Sequence, residues 1–380
     1  MRQLGIFCLE FPHASRVFIE EQASHLTCYQ PKFLMRSQLK EIGYQGVSVQ
    51  DSDILGIKQK LFTLTRSPLL FKKSSLLTEL RLIHAHFGPD SIYALPLAKH
   101  LDIPLITTFH GYDITTHESN FIFSKSIVAK QYLLNRSQLK KSGAVFIAVS
   151  RFIEAKLIEK NFPKEKIIQH YIGVDTQKFT PLAQKSKERY VFCVGRHVQK
   201  KGLETLLLAF ARITKKHPDV LLIQVGAGPL TSMLCQLTEE LGIKDQVRFL
   251  GAQPHKKVLS LMQNAEVFAL PSQTASSGDS EALGIVFNEA SACGIPIVST
   301  LHGGIPEAVL HGETGFLSPE GDAIALANNL DALLSDRTLA KKMGHHGREY
   351  VCEEFDICKQ TAKLETIYEE VVEQWIARCK

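Results

Sequence analysis

The stretch GDSEALGIVFNEASACGIPIVST, residues 278–300, sets two glutamates, Glu281 and Glu289, in a run that is otherwise small and apolar. A polar loop, LPSQTASSGDSEALG, leads out of the apolar run EVFAL. Beyond it IVFNEASAC reads as a helix that begins at Ile285 and stops at Gly294, before the apolar run IPIVS. Strand, loop, helix and strand in that order are the unit of a parallel α/β sheet. Glu281 then precedes the helix and Glu289 lies on it. The helix's first amides, around Leu283, Gly284, Ile285 and Val286, lack intrahelical partners and sit at the positive end of the macrodipole, so they attract phosphate. Taken singly, Glu281 reads equally as an acid near a helix cap and Glu289 as an exposed helix acid.

The same alternation extends in both directions. Strand runs RYVFCVGR, VLLIQVGAG, VRFLG and EVFALPS alternate with helical patterns at 203–214, 230–241 and 255–262. In the first half LGIFCLE, RLIHAHFG, IPLITTFHG and GAVFIAVS read as strands, with helices at 16–26 and 90–100. The polar segment TPLAQKSKER, 180–189, carries Pro181 and no periodicity, and reads as a linker. At 380 residues the chain is long enough for two domains. The expected layout is an N-terminal Rossmann-like domain over 1–182 and a second over 183–355. An amphipathic helix over 356–380 would cross back to the first. Two such halves imply a cleft where strand C-termini meet a ligand.

Composition excludes several classes. Hydrophobic content of 44% and charged content of 22% are those of an ordinary globular protein. A net charge of +5 suits an anionic small substrate and falls short of a nucleic-acid footprint. MRQLGIFCLEFPHASR is broken by Glu10 and does not read as a signal peptide. No run approaches the roughly 18 apolar residues of a spanning helix. The eight cysteines are scattered without C-x-x-C, which fits a reducing cytoplasm, so NRS at Asn135 reads as a chance sequon. The stretch 58–81, KQKLFTLTRSPLLFKKSSLLTELR, mixes basic and apolar positions with Glu79 as its one acid. It reads either as an ordinary cationic surface or as a weak contact with an anionic membrane face.

A second constellation is VGRHVQKKG, which follows a strand directly and places Arg196 and Lys201 on the loop at its C-terminal end. A guanidinium and an ammonium there, near helix amides, form a diphosphate clamp. Alone, each is also a solvated loop charge.

Together these motifs resemble the retaining glycosyltransferases of family 4, which have the GT-B fold. The likeness runs through E-x7-E in EALGIVFNEASACGIPIVST, through VGRHVQKKGLETLLLAF, VGAGP, VRFLG and GGIPEAVLHGETGFL, in family order. It implies an α/β protein of two Rossmann-like domains facing across a cleft, with the C-terminal helix packing back toward the first. It also implies transfer of a sugar from a nucleotide-diphosphate sugar, a UDP-hexose or UDP-N-acetylhexosamine, with no metal or other cofactor. Carried over by position, Arg196 and Lys201 would bind the diphosphate and Glu289 the ribose hydroxyls. Glu281 would meet the transferred sugar beside the amides of Leu283, Gly284, Ile285 and Val286. Arg248 and Phe249 would line the base pocket, and Gly226 and Gly228 would permit close approach of the chain. The acceptor is expected to be a saccharide, a lipid-linked saccharide or a small metabolite. The enzyme would be cytoplasmic, or peripheral on the inner membrane face.

In the first half TTFHGYD closes a strand on a His-Gly turn similar to the family's, which implies a catalytic place for His110. AVSRFIEAKL and HYIGVDTQKF are similar to its crossover segments, with Ser150 and Asp175 as structural or binding residues. Where many relatives carry a Gly-Gly turn, this chain has EFPHASRVFIEEQ, closer to a subgroup with a Pro-x-x-Ser turn. DSD at 51–53 reads as a polar turn, and His84 and His86 in HAHFG as a strand end lining the site rather than as metal ligands. VGAGP lacks the third glycine of a dinucleotide fingerprint, which argues against a dehydrogenase. A sugar-nucleotide epimerase or a phosphorylase on the same scaffold is the closer alternative.

Overall fold

A computed structural model describes residues 1–12, 16–41, 43–53, 55–71 and 75–378, without the side chain of Ser52. The chain divides into two units, residues 1–173 with 357–380, and residues 174–356. The first holds a seven-stranded parallel sheet of β1 (Arg2–Phe11), β2 (Tyr29–Gln38), β3 (Gly46–Ser48), β4 (Leu80–His86), β5 (Leu105–Phe109), β6 (Val145–Ala148) and β7 (Ile167–Gln169). Their order is β3-β2-β1-β4-β5-β6-β7. The second holds β8 (Arg189–Val194), β9 (Val220–Val225), β10 (Val247–Phe249), β11 (Val267–Ala269), β12 (Ile297–Thr300) and β13 (Gly315–Ser318), in the order β10-β9-β8-β11-β12-β13. Both are doubly wound sheets whose order reverses once, beside β1 and β4 in the first and beside β8 and β11 in the second.

The apolar runs became strands because helices cover both faces of a parallel sheet, so its strands are buried almost throughout. Tyr190, Val191, Phe192 and Cys193 of β8 are all buried. Helix Leu203–Ile213 buries Leu203, Leu206, Leu207, Phe210 and Ile213, one stripe at helical spacing. Strand β2 escaped the sequence reading because Gln30, Pro31 and Lys32 interrupt its apolar pattern, although it pairs with β1 from Arg2 to Phe11.

The second unit begins at Val174, so the stretch 180–189 read as a linker lies inside it. Lys185 Nζ donates to the Ala265 carbonyl at 2.7 Å, and the Ser186 amide donates to Asn264 Oδ1 at 2.8 Å. The segment is exposed from 180 to 188, and these hydrogen bonds tie it to the second unit. Helix Ile357–Arg378 belongs to the first unit, where Leu364, Tyr368 and Val371 join the core of Leu4, Ile6 and Phe33. Glu365, on the same helix, accepts the amides of Thr27, Cys28 and Tyr29 through Oε1 at 2.7–3.1 Å. Among the described residues no helix is long and apolar enough to cross a membrane.

Candidate functional site

In the second unit the chain leaves β8 and β11 on loops that flank the point where strand order reverses, the usual ligand position of such sheets. These loops are stapled together. The Gln273 amide donates to the Lys200 carbonyl at 2.8 Å, and the Ser276 amide to Gln199 Oε1 at 2.9 Å. Gly202 sits at φ 60°, and a Cβ there would fall 1.9 Å from the Pro271 carbonyl oxygen, so only glycine allows this approach.

The staple brings Lys201 Nζ to 2.5 Å from Glu281 Oε2, with both side chains mostly buried. Lys200 Nζ pairs with Asp279 Oδ1 at 3.0 Å. Burial alone would raise the pKa of Glu281, but the charges of Lys201 and Lys200 overrule it and hold the carboxyl down at about 2. Glu281 is therefore an anion at any working pH. It can accept hydrogen bonds from hydroxyls and cannot serve as a general acid. Its backbone is held as firmly. The Glu281 amide donates to His302 Nε2 at 3.0 Å, so the ring proton is on Nδ1, which donates to Glu320 Oε1 at 2.7 Å. Glu320 in turn accepts the Thr274 amide at 2.7 Å.

Two of the three cations over 196–201 are thus committed to carboxylates. Arg196 is exposed and makes no side-chain hydrogen bond or ion pair among the described residues, which leaves its guanidinium open to an anion. Helix Ile285–Ala292 starts from Gly284 with no side chain capping its first amides, and Glu289 lies one turn along it, mostly buried, 4.0 Å from His255 Nε2.

The β8 and β9 loops are closed onto each other. A Cβ on Gly226, at φ 138°, would lie 2.0 Å from the Gly195 carbonyl oxygen. The His197 amide donates to the Ala227 carbonyl at 3.1 Å, and the Gly228 amide to Thr231 Oγ1 at 3.1 Å. Buried His197 bonds Thr231 Oγ1 and Gln224 Oε1 through its two nitrogens at 2.8 and 2.6 Å. Phe249 meets that ring edge-on at 5.7 Å. Arg248 does not join this group. Its guanidinium pairs with Glu188 at 2.7 Å, at the start of β8, whereas Arg196 follows that strand's end. Alternation along β10 separates the two neighbours.

In the first unit Arg16, from the β1 side of the reversal, pairs with buried Asp90, from the β4 side, at 2.6 Å. Residues 13–15 of the Pro-x-x-Ser turn lie outside the described residues. His110 follows β5, its ring packed on Phe87 at 4.4 Å and Phe18 at 4.9 Å. Burial, with the neighbouring His84 ring and the Arg16 charge, holds its pKa well below the usual histidine value, so His110 is neutral. Asp113 shapes the turn by accepting the amides of Gly88, His110 and Gly111 at 2.9–3.2 Å.

Asp51 and Asp53 act locally. Asp51 accepts the Ser48 amide and Asp53 the Gln59 amide, at 2.9 and 2.8 Å. Ser150 caps helix Arg151–Glu159, and Asp175 accepts the amides of Gln177 and Lys178. Sequence reasoning missed Asp113, His197, Asp279 and His302. Only Asp113 carried a local signal, an Asp three residues after the histidine whose turn it caps. The partners of the other three are distant in the chain.

The family described as "Glycosyl transferases group 1" matches residues 174–350, and "Glycosyltransferase Family 4" matches 26–178. An Escherichia coli (strain K12) protein, described as the colanic acid biosynthesis glycosyltransferase WcaL, is 34% identical over 253 residues. That match covers 65% of this chain and 60% of the relative, so it leaves more than a third of the relative's length unmatched. The GDP-mannose-dependent alpha-(1-6)-phosphatidylinositol monomannoside mannosyltransferase of Mycolicibacterium smegmatis is 33% identical, over 73% of this chain and 74% of its own. Among solved structures, Anabaena Alr3699/HepE in complex with UDP and glucose superposes with a TM-score of 0.77. It is 20% identical and covers 97% of this chain and 99% of its own, a likeness of fold.

Proposed function

The chain belongs to the glycosyltransferases of family 4, and from that membership we propose that it is a retaining enzyme moving a sugar from a nucleoside-diphosphate sugar to an acceptor hydroxyl. The observation that carries this reading is the buried Lys201–Glu281 pair at the strand reversal, beside unpaired Arg196 and the uncapped amides of helix Ile285–Ala292. Arg196, those amides and Lys201 stabilise the diphosphate as charge grows on it, a task that needs no metal. Glu281, anionic, accepts hydrogen bonds from the transferred sugar, and Glu289 from the ribose. His110, neutral, meets the sugar by hydrogen bonding.

Retention is proposed from the family, through an oxocarbenium-like ion pair in which a leaving-group phosphate oxygen takes the acceptor's proton. Uridine is the proposed base, in the pocket beside Phe249, His197 and the Gly226–Gly228 loop. Guanosine is the competing outcome, because the mycobacterial relative is GDP-mannose-dependent. Calorimetry with UDP and GDP should give micromolar binding of one and not the other. A donor panel read by mass spectrometry should then identify the sugar, with most activity kept in EDTA. Tight NAD binding in place of both nucleotides, or complete loss on chelation restored by Mn²⁺, overturns the reading.

A membrane contact is proposed for the first unit. Helix Ile57–Thr65 buries Phe62 but turns Ile57, Leu61 and Leu64 outward, spaced at i, i+4 and i+7 on one stripe. Leu55 and Leu69 beside it are 77% and 75% exposed. The Gln131 side chain donates to the Leu64 carbonyl, which brings exposed Leu134 of helix Ile127–Ser142 alongside. From residue 55 to residue 78 the sequence has lysines and arginine but no acid, the complement of an anionic bilayer. The protein should float with vesicles containing anionic phospholipid and stay down with neutral ones. Leu61→Glu should abolish flotation while nucleotide binding persists. Equal flotation with both lipids, or none with either, rules the contact out.

A further inference from the structure

His84 and His86 lie two residues apart on β4, so both rings leave the same face of the sheet, and β5 beside them is followed directly by His110. The three rings form a ladder. His84 and His86 are 4.3 Å apart between ring centres, and His86 and His110 are 5.3 Å apart, nearly parallel. His84 is saturated, its Nδ1 at 2.6 Å from the Tyr368 hydroxyl and its Nε2 at 2.7 Å from Thr108 Oγ1. His86 Nδ1 lies 3.1 Å from His110 Nε2. The second nitrogen of His110, Nδ1, has no hydrogen-bond partner among the described residues.

We propose that His86 is a positioning residue that fixes the tautomer and ring orientation of His110, and so decides whether His110 Nδ1 offers a proton or a lone pair to its ligand. The inference rests on reading His110 as a contact of the transferred sugar. The logic is proton counting. Burial keeps all three imidazoles uncharged, and His84 and Arg16 add to the effect on His86 and His110. Between two neutral rings one nitrogen must donate and the other accept. A proton on His86 Nδ1 makes His110 Nε2 an acceptor and puts the His110 proton on Nδ1. A proton on His110 Nε2 leaves Nδ1 bare. The two tautomers are locked together. Among the described residues the groups facing His110 besides His86 are Phe18, Phe87, His84, the Arg16 charge and Asp113; the two phenyl rings offer no competing hydrogen bond, and the Asp113 carboxylate accepts the His110 backbone amide.

Imidazole nitrogen NMR on the unmodified protein should show His110, assigned with a His110→Gln variant, in one tautomer that persists from about pH 5 to pH 8. His86→Leu should release that tautomer into exchange. It should lower kcat about ten- to a hundredfold with nucleoside-diphosphate affinity unchanged. Asn places an amide near the position of Nδ1, so His86→Asn should recover most of the rate. A mixture of His110 tautomers in the unmodified protein overturns the proposal. So does a His86→Asn variant as slow as His86→Leu. Normal kcat in His110→Ala sinks the underlying reading instead, and the NMR result reports on the ladder separately.

Discussion

Lys201→Ala is expected to cost both stability and donor binding, whereas Arg196→Ala is expected to cost donor binding alone. Removing Lys201 strands the Glu281 carboxylate in a mostly buried place, with Lys200 already committed to Asp279 and Ser272 Oγ no closer than 3.5 Å. Breaking a buried pair from one side costs about 3 kcal/mol or somewhat more. Arg196 is exposed and unpaired, so its removal should leave the unfolding transition where it is. Both variants should lose affinity for the free nucleoside diphosphate, by about 1.5–3 kcal/mol for a charged hydrogen bond.

The stability loss carries a pH signature. The carboxyl of Glu281 sits at about 2 in the folded chain against an ordinary 4.5, a depressed value. Its contribution is therefore present above pH 4.5 and disappears as pH falls toward 2. The gap between the parent protein and Lys201→Ala, followed by denaturant unfolding, should be full at pH 7 and narrow below pH 4.5. A gap that does not change with pH would mean that the lost stability came from packing of the lysine stem.

The second large effect separates the glutamates by role. Glu281→Gln keeps the shape and removes the charge that answers Lys201, and it acts where the transferred sugar is proposed to sit. It should depress kcat about a hundredfold, the scale of one lost transition-state contact, with modest change in nucleoside-diphosphate affinity. His110→Ala should follow the same pattern. Glu289→Gln should instead raise the donor's KM about tenfold or more and leave kcat close to normal. A ribose contact is made equally in ground and transition states, so its loss is uniform. Initial-rate kinetics over donor concentration measures all three. If His110→Ala kept kcat while Glu289→Gln abolished it at unchanged KM, the assignment would fall.

Much of this site was legible beforehand, for a physical reason. In a parallel sheet the residues that meet a ligand follow the strands directly, and buried strands announce themselves as apolar runs. Arg196 just after RYVFCV and His110 directly after IPLITTF could be found by reading past the end of a run, and Glu281 by following the polar loop that leads from EVFAL to the next helix. The limits were as physical. Arg248 stood beside Phe249 in sequence, yet alternation along β10 sent its guanidinium to Glu188. The stretch 180–189 read as a linker, and Lys185 and Arg189 anchor it within the second unit.

By itself the sequence determined the α/β class, most of the alternation of strands and helices, and several residues of the candidate site. These depend on periodicity and on turns, which act over a few positions. Only the tertiary structure decided how those residues spend their charge. Lys201 and Glu281 are 80 positions apart, and they meet because β11 lies against β8 and Gly202 lets their loops close. Lys200 is committed to Asp279 by the same closure, which leaves Arg196 as the open cation of its loop. His86 meets His110 because β4 lies beside β5. Charge and proton sharing fall off over a few ångströms, and distances of that kind between remote residues are set by strand order, which no local pattern encodes.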